Sequence, residues 1–162
     1  MRKIFVATLL AVMLSAATAL AADWEQIYLD ENDNLIYFDT ESVKVVTRNG
    51  DDAVFNASFR MVYSERGRQA LIDWYRDNSI MPTDIESLSY DVATVNFKKS
   101  GDKREYCIMT RKSYTEDGRS LEDMHFVNPN PQWTAIPLSS LVEVEYYNAL
   151  LIVDGKRFDA NY

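Results

Sequence analysis

The chain has little of the chemistry that most catalytic and metal sites require. Its 162 residues include one cysteine, Cys107, and one histidine, His125. A single cysteine excludes an internal disulfide, and one histidine without a cysteine cluster argues against a zinc site. A Ser-His-Asp hydrolase would need His125, yet the chain has no Gly-x-Ser-x-Gly elbow. We therefore expect a protein that is not an enzyme and that holds no metal and no cofactor.

The chain also has fewer basic than acidic residues. The chain has 17 lysines and arginines against 25 acidic residues, a net charge of −8. A surface with this excess of negative charge repels phosphate backbones and anionic lipid headgroups, so nucleic acid is not an expected partner. The acidic pairs Glu116-Asp117 and Glu122-Asp123 do not predict a glycosidase site, because adjacent residues on a strand point to opposite faces.

The one long apolar run lies at the N-terminus. Arg2 and Lys3 precede the apolar stretch Ile4 to Leu14, and Ala19-Leu20-Ala21 offers the small residues of a cleavage site. This pattern is typical of a secretory signal peptide, which we predict over residues 1–22. The run is too short to span a bilayer comfortably, and no cysteine follows that could carry a lipid. We expect an exported protein, periplasmic, secreted or at the cell surface, with no stable membrane insertion.

The remaining residues, 23–162, have the length of one domain. Apolar and mostly polar residues alternate over 55–63, which is the pattern of a half-buried antiparallel strand. This strand leads at once into a helix predicted over 65–78, with Ser64 as its N-cap. The apolar residues at helical spacing include Trp74 and Tyr75, which we expect to pack the helix onto the sheet.

Turn signals divide the rest of the domain into strands. Polar segments at 30–34, 49–52, 99–103 and 115–118 predict hairpins. The strands lie at 24–29, 35–38, 55–63, 87–98, 104–114 and 119–126, with a further short segment at 44–47 after a break at 39–43. Ser140 and Glu143 form a capping box that opens a second helix. The predicted fold is α+β: an antiparallel meander sheet of about six strands with one main helix packed on it and a short C-terminal helix.

The first polar turn nearly fits a calcium-binding loop. Asp30, Asn32 and Asn34 alternate, and Glu41 lies eleven residues after Asp30. Leu35 replaces the glycine that such a loop needs at its sixth position, and the flanks read as strands rather than helices. A solvated turn without metal is the better prediction.

Short motifs along the chain resemble those of the surface-adhesin protein E family, small secreted bacterial proteins. The residues that carry the resemblance are Trp24, Tyr37-Phe38-Asp39 with Ser42-Val43, Tyr114 with Gly118, and Trp133-x-x-Ile136-Pro137 with Ser140-Leu141. The resemblance spans about residues 24–150 and implies an antiparallel sheet with a packed helix and adhesion to host matrix glycoproteins. Two features depart from the family: its second cysteine is absent, and so is a lipid-anchoring cysteine.

Within these motifs we expect structural roles before binding roles. Trp24 and Trp133 are predicted to pack in the core or at a sheet edge, and Asp39 to lie in a turn. Cys107, in a strand-like run, is predicted to be a small buried hydrophobe, with an intermolecular disulfide as the alternative if its side chain is exposed.

Aromatic residues are the abundant class, with ten tyrosines and three tryptophans. Tyrosine and tryptophan are enriched at protein interfaces because they combine a large apolar area with a polar tip. Tyr28, Tyr146 and Tyr147 are therefore the candidate partner-binding residues. The sequence favours a non-enzymatic secreted or cell-envelope binding protein that resembles a surface adhesin. Its partner would be a host extracellular-matrix glycoprotein, another protein or a second copy in a homodimer. The alternative is a periplasmic housekeeping or stress-related interaction protein without a host ligand.

Overall fold

The computed structural model describes residues 22–155, which form one antiparallel sheet and two α-helices. The strands follow the chain in the order β1-β2-β3-β4-β5-β6, and β7 also pairs with β5. The predicted α+β fold with a meander sheet is confirmed. The predicted signal peptide lies outside the described residues. The strands are β1 (Trp24–Leu29), β2 (Leu35–Asn49), β3 (Asp52–Val62), β4 (Tyr90–Ser100), β5 (Lys103–Tyr114), β6 (Phe126–Val127) and β7 (Thr134–Ala135), and the helices are α1 (Glu65–Asp77) and α2 (Leu141–Val153).

Two tight turns join the longest strands. Gly50 opens the turn from β2 to β3 with φ 60°, and Gly101 opens the turn from β4 to β5 with φ 56°. Residues with a side chain rarely adopt such angles, so glycine suits both positions. The second loop is shorter than the five residues predicted, because pairing continues to Ser100 and Lys103.

A large bulge interrupts β2 without ending the strand. The register shifts between Asp39 and Lys44, so the predicted break at 39–43 is instead an insertion within one strand of 15 residues. The Asp39 carboxylate accepts a hydrogen bond from the Glu41 N–H at 3.1 Å, as expected of a turn residue. The bulge locally disrupts the hydrogen bonds between β2 and β3. The Ser42 hydroxyl accepts a hydrogen bond from the Ser58 N–H at 2.8 Å and so replaces a backbone acceptor there.

The main core lies between one face of the sheet and α2. Ser140 caps this helix by accepting the Glu143 N–H at 3.2 Å, and the Glu143 carboxylate accepts the Ser139 N–H at 2.7 Å. The capping box is thus formed nearly as predicted. The buried residues of this cluster are Phe38, Ala53, Phe55, Ala57, Phe59, Val95, Phe97, Tyr146 and Ala149. We call the sheet face that carries these side chains the inner face.

Helix α1 has its own smaller core at the end of the sheet. It packs with short 3₁₀ turns at Ile85–Ser87 and Glu122–Met124. The buried residues are Ile72, Tyr75, Ile85, Leu88, Leu121 and Met124. Trp74 was expected in this contact, but it is exposed and meets only the edge of the Tyr75 ring, at 5.1 Å between centroids. Successive residues of an α-helix are rotated by about 100° around its axis. Trp74 therefore points away from the side of α1 that carries the buried Tyr75.

The turn from β1 to β2 holds the start of α1. The Asp30 carboxylate accepts hydrogen bonds from the Asn32 and Asn34 N–H groups and from the Asn34 side chain, each at 2.9 Å. The side-chain oxygen of the buried Asn34 accepts a hydrogen bond from the Ser64 N–H at 2.9 Å. The Ser64 hydroxyl in turn accepts the Gly67 N–H and so caps the helix. The residues of the near-calcium pattern therefore build a turn that anchors a helix.

The segment after β5 contains less strand than predicted. Residues 119–126 were expected to form one strand, but Glu122–Met124 is a 3₁₀ turn and β6 is two residues long. Ser120 makes a single isolated bridge to Tyr114. The chain leaves the ladder because Leu121 and Met124 turn into the smaller core.

Candidate functional site

The side chains opposite the inner face form a surface that we call the outer face. On β3 it is carried by the residues that alternate with the core, namely Val54, Asn56, Ser58, Arg60 and Val62. Within residues 22–155 both helices pack elsewhere, α2 on the inner face and α1 at the end of the sheet. An antiparallel sheet commonly leaves one face to solvent in this way.

A row of stacked groups crosses the outer face around Arg60. The Arg60 guanidinium carbon lies 4.3 Å from the centroid of the Trp24 ring and 5.0 Å from that of Tyr90. Tyr90 in turn stacks on Tyr114, with centroids 5.1 Å apart and an interplanar angle of 17°. These four residues, which we call the Arg60 row, come from β1, β3, β4 and β5 and are all half-buried. The cation between the two rings limits the orientations that both rings can take.

The row ends beside a hydrogen-bonded histidine. The His125 ring lies 6.4 Å from that of Tyr114. Its Nε2 is 2.8 Å from the Ser120 hydroxyl and its Nδ1 is 3.1 Å from a Glu122 carboxylate oxygen. This order matches a Ser-His-acid triad, but the Glu122 side chain is 78% exposed, so water screens its charge. The neighbouring cavity of about 190 Å³ is lined by Ser120 and Glu122 and not by His125.

The β5 side of the outer face is partly covered by the loop that follows β6. The Asn128 side-chain amide donates to the Cys107 sulfur at 3.4 Å and to the Ile108 carbonyl at 3.2 Å. Cys107 is buried, as predicted. Trp133 stacks against Lys98, with the ammonium 5.6 Å from the ring centroid. Both Trp24 and Trp133 thus cover cations at the sheet surface rather than in the core, and the edge alternative holds for Trp24, which lies on the edge strand β1.

The three predicted tyrosines do not form one site. Tyr28 is exposed on the edge strand β1, and Tyr147 is exposed on α2, where Arg104 of β5 donates to its hydroxyl. Tyr146 was predicted as an exposed candidate, but it is 1% exposed and packs 5.8 Å from the Phe55 and Phe97 rings. Helical spacing places Tyr146 on one side of α2 with Val142 and Ala149, and this side meets the sheet, so Tyr146 is not an exposed residue.

Sequence analysis missed the Arg60 row. The alternation along β3 was a sufficient signal that Arg60 lies on the polar face. The missing information was the pairing of β3 with β4 and the path of β1, which bring Tyr90 and Trp24 to the same guanidinium. No short motif in the sequence records such cross-strand neighbours.

A polar depression of about 610 Å³ lies near α1 and the turn at 115–118, and its cations are already engaged. Arg68 bonds to the Glu65 carboxylate and to the Leu88 carbonyl, and Arg119 pairs with Asp84 at 3.1 Å. Residues 22–155 contain no group of three or more side chains able to hold a metal ion.

Comparison with models of protein families, with curated proteins and with solved structures gave no match. No helix formed by residues 22–155 is long and apolar enough to cross a membrane. The fold and its two sheet faces are therefore the basis on which a function is proposed.

Proposed function

We propose that this chain is a non-enzymatic binding protein that is exported to the cell envelope or beyond it. It binds a protein partner through the outer face of its sheet. The observation that carries the proposal is the Arg60 row, in which Arg60 lies between Trp24 and Tyr90, and Tyr90 stacks on Tyr114. Export rests on the leader predicted from the sequence.

The composition of the row supports a role in protein binding. Tryptophan, tyrosine and arginine are the side chains most enriched among residues that contribute strongly to binding energy. Stacking already limits the motion of the four side chains, so less conformational entropy is lost when a partner binds. The row spans four strands, which makes it a broad surface rather than a cleft for a small molecule.

The proposed partner is a host matrix glycoprotein, in line with the resemblance to the surface-adhesin protein E family. The second candidate is a protein partner inside the envelope, without a host ligand.

Binding can be tested with two tryptophan variants of the purified domain. Trp24→Ala removes one side of the Arg60 row, and Trp74→Ala removes an exposed tryptophan from α1, outside the outer face. We expect immobilised matrix glycoproteins to bind the wild type and Trp74→Ala equally, and Trp24→Ala at least about tenfold more weakly. Equal loss in both variants would contradict the outer face as the site.

The location of the domain decides between the two partners. Intact cells are treated with protease, and released peptides are identified by mass spectrometry, with a periplasmic enzyme as the control for leakage. Peptides from the predicted domain, residues 23–162, in the shaved fraction would place it at the cell surface. If they appear only after the outer layer is broken, the host-adhesion form of the proposal fails and the envelope partner is the one to seek.

A further inference from the structure

A separate cavity of about 160 Å³ lies on the inner face, between the first turns of α2 and strands β3 to β5. We call it the α2 cavity. Most of its wall is apolar, formed by side chains that include Ile36, Phe59, Met61, Val95, Ile108 and Val142. An apolar cavity of about 150 Å³ is large enough to hold a benzene ring. The α2 cavity therefore has room for a ligand of about six heavy atoms.

Asp91 presents an unpartnered carboxylate oxygen in this wall. Its side chain is 7% exposed. One oxygen, Oδ2, accepts the Tyr63 hydroxyl at 2.8 Å and lies 3.8 Å from Nε of Arg111. The other, Oδ1, is buried and has no hydrogen-bond partner among residues 22–155. Burial and the nearby Asp91 charge raise the pKa of Tyr63, so its hydroxyl remains a donor. A buried acceptor without a donor destabilises the folded protein, and a ligand that donates a hydrogen bond can relieve that cost.

Glu145 is the second carboxyl group in the cavity wall. It is 9% exposed, and its side chain makes no hydrogen bond or ion pair within the described part of the chain. Burial raises the pKa of Glu145 to about 8, so the group is mostly protonated at neutral pH. Leu141 and Val142 of α2 line the cavity beside it. The cavity wall thus holds two carboxyl groups on separate elements, and the side chains of Arg60 and Arg111 also line it.

We propose that the α2 cavity binds a small apolar ligand that carries a primary ammonium group. An ammonium has three N–H donors, which can serve the free oxygen of Asp91 and the carboxyl of Glu145 together. On binding, Glu145 would release its proton to solvent and pair with the cation, while the apolar body of the ligand fills the space beside Met61 and Ile108. No covalent step is involved.

A cation that donates hydrogen bonds suits the unpartnered oxygen of Asp91 and the carboxyl of Glu145 better than other ligands do. An alcohol would satisfy Asp91 and leave Glu145 unpaired, and a carboxylate would meet Asp91 as a like charge. Arg111 does not already neutralise both acids, because it is exposed and 3.8 Å from Asp91. The titratable and charged side chains that line the cavity are Arg60, Tyr63, Asp91, Tyr106, Arg111 and Glu145. The Arg60 guanidinium lies between two rings of the outer face.

Titration with three small molecules of similar size tests the proposal. The probes are n-butylamine, 1-butanol and butyrate, added to the mature chain labelled with ¹³C on its methionine methyl groups. Met61 lines the cavity, and exposed Met81 serves as the internal control. We expect butylamine to shift the Met61 signal saturably and to leave Met81 unchanged. Butanol should bind at least about tenfold more weakly, and butyrate should not bind.

Variants and pH separate a charged site from a plain apolar void. Glu145→Gln keeps the shape of the protonated acid and should weaken butylamine binding at least about tenfold, whereas Glu41→Gln, an exposed acid, should not change it. Asp91→Asn should have the same effect as Glu145→Gln. In the wild type, butylamine affinity should rise from pH 6 to pH 9 as Glu145 ionises, since an alkylamine stays protonated to about pH 10.

Three outcomes would overturn the proposal. Equal binding of butylamine and butanol would make the cavity a void without charge recognition. Unchanged butylamine binding in Glu145→Gln would show that the Glu145 carboxylate does not contact the amine. Absence of any saturable Met61 shift would mean that the cavity takes no amine. Because the probes report on the inner face, these results do not depend on whether the outer face binds a protein.

Discussion

At the scale of single residues, burial changes the chemistry of Glu145. It lies on the side of α2 that faces the cavity, beside the core residues Tyr146 and Ala149. Burial is the one cause of its raised pKa, so the charged form gains nothing from a neighbour in the unliganded protein. A buried acid of this kind lowers stability whenever the solution pH would ionise it in the unfolded chain.

Glu145 therefore makes stability depend on pH. The unfolded chain releases this proton near pH 4.5 and the folded chain near pH 8. Between these values the folded state binds one more proton, so the free energy of unfolding falls by about 1.4 kcal/mol per pH unit as the pH rises. At pH 7 the accumulated loss is about 3 kcal/mol. Glu145→Gln should lack this slope in urea denaturation at pH 5, 6, 7 and 8.

The comparison uses Glu41→Gln as its control, because this exposed acid should follow the wild type at every pH. Parallel curves for Glu145→Gln and the wild type would mean that Glu145 titrates at an ordinary pKa in the folded state. A steeper curve for the variant than for the wild type would contradict the sign of the argument.

Gly67 shows how one contact reverses an expectation from helix propensity. In a free helix, Gly→Ala stabilises by about 1 kcal/mol. Here a Cβ at position 67 would lie 1.8 Å from the Asn34 side-chain oxygen, which is itself bonded to the Ser64 N–H. Overpacking of this kind typically costs 1–3 kcal/mol, so Gly67→Ala should destabilise the protein by about 2 kcal/mol in chemical denaturation.

The double variant isolates that contact. Asn34→Ala removes the side chain that the new methyl group would strike, so adding Gly67→Ala to this background should be neutral or stabilising. If Gly67→Ala destabilises the Asn34→Ala background as much as the wild type, the close approach of the turn to the helix is not the cause.

At the scale of elements, local signals and long-range contacts contributed different parts of the fold. Ser64 and Ser140 indicated where the helices begin, and the Asn49-Gly50 pair indicated the β2–β3 turn, because caps and turns act within a few residues. The position of α1 could not be predicted in the same way. Its N-terminus is held by Asn34, thirty residues earlier, so the helix packs at the end of the sheet and leaves the inner face to α2.

The bulge in β2 depends on one hydroxyl group, that of Ser42. Ser42→Ala removes the acceptor of the Ser58 N–H and leaves this half-buried donor unpaired. The expected loss is about 1–2 kcal/mol of unfolding free energy, together with faster hydrogen exchange at the Ser58 amide. Ser87→Ala, at an exposed position in a 3₁₀ turn, is the matched control. Unchanged exchange at Ser58 would mean that Ser42 does not support the bulge.

At the scale of the whole molecule, the sheet separates two surfaces with different chemistry. Alternation along β3 places Phe59 and Met61 in the wall of the α2 cavity, while the Arg60 guanidinium stacks on rings of the outer face although Arg60 also lines the cavity. The β3–β4 ladder between the two surfaces has no register shift. A protein partner and a small amine would thus approach the same strands from opposite sides.

Shared strands raise the question of whether the two sites are coupled. Coupling requires an element with two arrangements whose balance both ligands change. The two faces share the paired backbone of β3 and β4, which a hydrogen-bonded ladder holds in one register. We therefore expect Trp24→Ala to leave butylamine binding at Met61 within about twofold of the wild type, and saturating butylamine to leave partner binding equally unchanged. Linkage requires butylamine to change partner affinity by the same factor as the partner changes butylamine affinity, so a matched change in these two affinities would contradict the expectation of independent faces.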